Sequence, residues 1–129
     1  MVTFHHVNLG VPVDGLEAEA GFLMDVLGYR RVPIDSELQK MGANWYEADD
    51  GSQVHLSADP DHRPAARAHV AVAFGSHLAD VERRLQEGSI EFDSSDRPGF
   101  PRVVICQDPA GNRWELRGEQ GAKADSTAG

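Results

Sequence analysis

Apolar and polar residues alternate along FHHVNLGVPV, residues 4–13. Val7, Leu9 and Val11 share one face, and His6, Asn8 and Gly10 the other. This period of two predicts a half-buried strand. The rhythm then changes. Across VDGLEAEAGFLMDVLGY, residues 13–29, Leu16, Ala20, Leu23 and Leu27 recur at helical spacing. Asp14, with Glu17 three residues on, predicts an N-cap with a capping box, and Gly28 a C-terminal stop. YRRVPI (29–34) and ANWYEAD (43–49) read as short strands joined by a polar connection. DDG predicts a turn, and SQVHLSA (52–58) alternates again, with Val54 and Leu56 opposite Gln53 and His55.

DPDHRPAAR (59–67), with its prolines and charges, reads as a linker. After it the order repeats. AHVAVAF (68–74) is a strand with Val70, Val72 and Phe74 on one face and His69 and Ala71 on the other. SHLADVERRLQEG (76–88) is a helix with the stripe Leu78, Val81 and Leu85, and Ser76 is its predicted cap. IEFD (90–93), RVVICQD (102–108) and NRWELR (112–117) are strands, the last entered through the turn PAG. The chain therefore reads strand, helix, three strands, twice over: an α+β fold of two repeated modules, about 1–58 and 67–118, in one domain. Aligning HVNLGV with HVAVAF sets His6 on His69, and aligning DGSQVHL with AGNRWEL sets His55 on Glu115. Each module thus carries a potential metal donor at the same two positions.

Composition narrows the partners. Among 129 residues, 40% are hydrophobic and the formal net charge is −9. That charge offers nothing to nucleic acid or an anionic membrane. The start of the chain has no basic region followed by a long apolar run, and no segment reaches the length of a membrane span. One cysteine, Cys106, permits no intramolecular disulfide. The expectation is a cytoplasmic protein with a disordered tail over 119–129.

Three imidazoles and one carboxylate form a donor set for a divalent first-row metal. Strand parity puts His6, His55, His69 and Glu115 on the faces opposite the apolar residues. A cation beside Glu115 would offset the cost of burying its charge. The remaining histidines have ordinary explanations. Parity places His5 with Val7, against the helix, while His62 in the linker and His77 at a helix start are expected to be solvated. Cys106 reads as a small buried strand residue.

HHVNLGV, AHVAVAF and DPAGNRWEL together resemble the vicinal oxygen chelate superfamily. This group includes glyoxalase I, extradiol dioxygenases, fosfomycin-resistance enzymes and bleomycin-binding proteins. The resemblance spans residues 2 to about 118. It implies paired βαβββ modules forming a cupped mixed sheet, often completed by a homodimer. It also implies that His6, His69 and Glu115 stand where the family's most frequent ligands stand. His55 falls on a fourth position that holds Glu or Gln in the glyoxalase and epimerase branches. Histidine there leaves Glu115 as the one carboxylate of the four.

The activity this implies is a metal-dependent, glyoxalase-like lyase or isomerase chelating vicinal oxygens of a small-molecule substrate. The metal would be Zn, Ni, Mn or Fe. Glu115 and His55 are its candidate catalytic residues. Trp45, Tyr46 and Phe100 are candidate pocket walls, although by alternation Trp45 and Tyr46 cannot both point inward. Arg102 and Arg113 could orient an anionic substrate. The alternatives are an extradiol-type non-haem iron dioxygenase and a metal-free protein that sequesters an antibiotic or aromatic ligand.

Overall fold

A computed structural model describes residues 1–119, so all but the first residue of the expected tail lies outside the described residues. The chain is α+β and forms two compact units. One is Met1–Pro64 with Pro109–Asn112; the other is Ala65–Asp108 with the strand from Arg113 onward.

In the first unit, β1 (His6–Val11), β2 (Arg30–Val32), β3 (Ala43–Glu47) and β4 (Gln53–Ala58) form a mixed sheet in the order β1-β4-β3-β2. β1 runs parallel to β4, and the other neighbours are antiparallel. Parity does what the alternation predicts. Val11, Val54, Leu56 and Tyr46 are buried together with Ala20, Leu23 and Leu27 of the helical segment.

That segment departs from expectation at its start and middle. Helix α1 covers Leu16–Gly21, and Gly15, not Asp14, is its N-cap, with no side-chain capping bond. Phe22–Val26 then widens into a π-helical turn, with Leu27 N–H donating to the Phe22 carbonyl. The wider turn brings Phe22, Leu23, Val26 and Leu27 all to the buried side. Gly28 ends the segment at a φ of 91°, as glycine can, and Tyr29 N–H closes on the Leu23 carbonyl. The polar connection after β2 holds a second short helix, α2 (Ser36–Lys40), capped by Asp35, whose Oδ1 accepts from Leu38 N–H at 2.9 Å.

In the second unit, β5 (His69–Gly75), β6 (Phe92–Ser95), β7 (Val103–Gln107) and β8 (Arg113–Gly118) repeat the pattern as β5-β8-β7-β6, with β5 parallel to β8. Helix α3 (Leu78–Glu87) buries the predicted stripe of Leu78, Val81 and Leu85. Its N-cap is His77 rather than Ser76, again without a side-chain bond. Trp114, Leu116, Val104 and Cys106 complete the buried face. Among the described residues, no helix is long and apolar enough to cross a membrane.

Candidate metal-donor positions

The two sheets share more than strand order. In the first, His6 opens β1 opposite Gln53, and Asn8 pairs with His55. In the second, His69 opens β5 opposite Arg113, and Ala71 pairs with Glu115. His6 and His69 therefore hold the same position in their own sheets, as do His55 and Glu115. Residues two apart in a strand share a face, so each sheet carries its two candidate donors on the face turned away from its buried apolar residues.

In the first unit the donors touch. The His6 and His55 rings stack with centroids 3.9 Å apart, and Trp45 stacks on His55 at 4.2 Å. His55 is 7% exposed, held on the central strand between the two rings. Burial, followed by the like charges of His6 and His5, pulls its pKa down to about 4. The ring is thus neutral at neutral pH, the form a metal ion takes. Its Nε2 lies 2.8 Å from the Gln53 side-chain oxygen.

In the second unit, His69 Nε2 lies 3.8 Å from Glu115 Oε1, and Arg117 Nη1 donates to Glu115 Oε2 at 2.6 Å. Glu115 is half-buried, and its charge faces a guanidinium and an imidazole rather than bulk water alone. One residue away, Trp114 is turned to the opposite, fully buried face, and its Nε1–H donates to Asp108 at 2.9 Å.

The other expected pocket residues are scattered. Trp45 is on the donor face. Tyr46 is not: it is buried on the helix side, with its hydroxyl accepting from Arg31 at 3.0 Å. Phe100 is 53% exposed beneath the Arg97 guanidinium. Arg102 is engaged by Glu82 through two bonds of 2.9 and 2.6 Å, so its fork is already occupied. Arg113 lies on the Glu115 face and lines an open groove of about 840 Å³, with Phe92, Asp93, Ile105 and Gln107 among its walls. His5 is exposed beside His6 instead of packing under the helix, because β1 begins only at His6. His62 is half-buried rather than solvated, with Nε2 bonded to the Ala110 carbonyl at 2.8 Å. Two partners escaped the sequence reading, Gln53 and Arg117. Each stands two residues from a donor on the same strand face, and that spacing was the available signal.

Residues 8–117 match the family model described as the glyoxalase-like domain. The chain belongs to this glyoxalase-like family, within the vicinal oxygen chelate superfamily. A glyoxalase family protein from Bacillus anthracis is similar at 26% identity and a TM-score of 0.81, over 93% of this chain and 97% of that one. A glyoxalase/dioxygenase from Nostoc punctiforme aligns at 19% identity and 0.73, over 91% and 90%. The fosfomycin resistance protein FosX of Listeria monocytogenes, in its complex with Mn(II) and sulfate, aligns at 15% and 0.74, over 93% and 92%. These last two likenesses show the fold alone. No curated protein matches the chain.

The FosX structure, similar in fold, is a complex with Mn(II). Among the described residues no group of three or more His, Cys, Asp or Glu side chains is gathered to hold an ion. The pairs fit by donor type. One supplies a neutral, desolvated imidazole beside a second imidazole, and the other an imidazole beside a carboxylate.

Proposed function

We propose that this glyoxalase-like chain is a metal-dependent enzyme of lyase or isomerase type, acting on a small substrate with two neighbouring oxygens. His6, His55, His69 and Glu115 are its donors for a divalent cation, Zn, Ni, Mn or Fe. The supporting observation is the duplicated register, which sets donor-type residues at the same two positions of two sheets.

Held by these residues, a divalent cation would supply Lewis-acid stabilisation of the charge developing on the substrate's vicinal oxygens. The chain's own residues do the rest. Glu115, the one carboxylate of the set, accepts the substrate proton. Arg117 orients it by engaging Oε2, which leaves Oε1 on the His69 side. Trp45 and His6 fix the plane of His55. Arg113, exposed on the Glu115 face, takes an anionic group of the substrate.

Metal analysis of protein purified without added metal or chelating resin tests this directly. Bound divalent ion is expected in the unaltered chain. Glu115→Gln should keep the circular-dichroism spectrum and lose at least about tenfold in metal affinity, the lower end of what removing even an outer partner of a ligand costs. Unchanged affinity would remove Glu115 from the donor set. His77→Ala, at an exposed position at the start of α3, should keep its metal, and a loss as large as that of Glu115→Gln would show the donors to be misassigned. A second reading has its own support: His6, His69 and Glu115 make the two-histidine, one-carboxylate set of non-haem Fe(II) oxygenases. Bound iron with oxygen uptake on a catechol would favour it over the first.

A further inference from the structure

A line of polar side chains crosses three strands of the first sheet and ends on His55. Arg30 of β2 approaches Glu47 Oε2 at 3.8 Å. Glu47 of β3 accepts at Oε1 from Gln53 Nε2 at 3.0 Å. The Gln53 side-chain oxygen then lies 2.8 Å from His55 Nε2. The register makes this line. Arg30 pairs with Glu47, Glu47 pairs with Gln53, and His55 follows Gln53 by two on the same face. The Gln53 backbone is also tied, its N–H donating to the His5 carbonyl at 2.9 Å.

The logic of donors and acceptors runs one way along it. A carboxylate has no proton to give, so Glu47 must face the NH₂ end of the Gln53 amide. That turns the amide oxygen toward His55. An amide oxygen only accepts, so Nε2 of His55 must carry the proton. Nδ1 is then the nitrogen with the lone pair. Stacking against His6 and Trp45 fixes the plane of the ring, but stacking alone does not choose between its nitrogens.

We propose that Gln53 is a positioning residue for His55: anchored by Glu47, its amide holds the imidazole as the Nε2–H tautomer and leaves Nδ1 as the nitrogen offered to a ligand. This deepens the reading above and rests on it for the identity of that ligand, a divalent cation. A histidine that binds metal through one nitrogen and donates from the other to an oxygen is oriented in this way.

The test uses the full chain with isotope-labelled histidine, stripped of metal by chelator, at neutral pH. Long-range proton–nitrogen correlation reads the tautomer of each imidazole. His55 is expected as Nε2–H. Gln53→Leu, which removes the acceptor, should admit the Nδ1–H form. Gln53→Glu combined with Glu47→Gln, which keeps an acceptor at position 53 and a donor at position 47, should restore Nε2–H; a merely structural role for Gln53 would not separate these variants by tautomer. Should Gln53→Leu fail to fold, Glu47→Ala decides, because it frees the amide to turn over and should also admit Nδ1–H. A wild-type Nδ1–H tautomer, or no tautomer change in the variants that fold, overturns the proposal. Titration with Co(II) separately tests the reading beneath it. Gln53→Leu should lose about 10–100-fold in affinity. A wild-type chain that binds no divalent ion while showing the expected tautomers would defeat the metal reading and leave the role of Gln53 standing.

Discussion

Glu115 and Trp114 are neighbours with opposite fates. A strand turns successive side chains to opposite faces, so the indole is fully buried while the carboxylate meets Arg117 and His69. Face assignment at this scale was legible for every strand residue in the donor set. The partners were not, because whether Arg117 reaches Glu115 or solvent is a rotamer decided by surrounding packing. The desolvation of His55 needed Trp45 and His6 to close over it, and that depends on strand order. Cys106 illustrates the same physics on the buried side. Burial first, then the Asp108 charge, pushes its thiol from 9.0 up to about 11. At pH 8 its thiolate population should be roughly a hundredfold below that of an ordinary thiol. Labelling with a disulfide reagent should therefore be slow in the native chain and rapid in denaturant; equal rates would show the thiol to be accessible. Because the folded value is raised, the folded state holds its proton longer than the unfolded chain does. This group's contribution to stability is full below about pH 9 and is lost as pH rises toward 11.

Helix ends show where local signals compete. The motif around Asp14 and Glu17 reads as a capping box, yet Gly15 occupies the cap position and Asp14 is exposed. The chain leaves β1 through Pro12, whose carbonyl accepts from Gly15 N–H at 2.8 Å. That turn brings in the helix one residue later than the motif implies. Asp35 does the opposite: it caps α2, a helix without enough apolar periodicity to announce itself. Removing the Asp35 side chain with Asp35→Ala should cost about 0.5–2 kcal/mol in urea unfolding. Asp14→Ala, which breaks no capping bond, should stay within about 0.5 kcal/mol of the parent. Equal losses would mean that the caps have been misread. The π-helical turn at Phe22–Val26 had no sequence signature, since the same apolar residues fit an ordinary α-helical stripe.

Across the whole molecule, duplication is the organising fact. Both sheets place their first strand at an edge, parallel to their fourth. Val7 and Leu9 of β1, and Val70 and Val72 of β5, are only half-buried, and Met1, Val2 and Phe4 are exposed. Edge strands with apolar residues near them invite pairing with another copy. The homodimer is therefore expected in solution, with light scattering giving twice the chain mass of 14.1 kDa. A single-chain mass at high protein concentration would contradict it.

The sequence by itself determined the duplication, the identity of the strands, and which residue types stand at matched positions on which face. Each follows from a local period of two or 3.6 residues, which the chain carries wherever it folds. The tertiary structure alone decided the company those residues keep: Gln53 on His55, Arg117 on Glu115, Glu82 on Arg102, and Tyr46 rather than Trp45 in the core. Those contacts depend on strand order, register and rotamer. They join positions whose proximity no local pattern encodes, or choose among side-chain directions that parity leaves open.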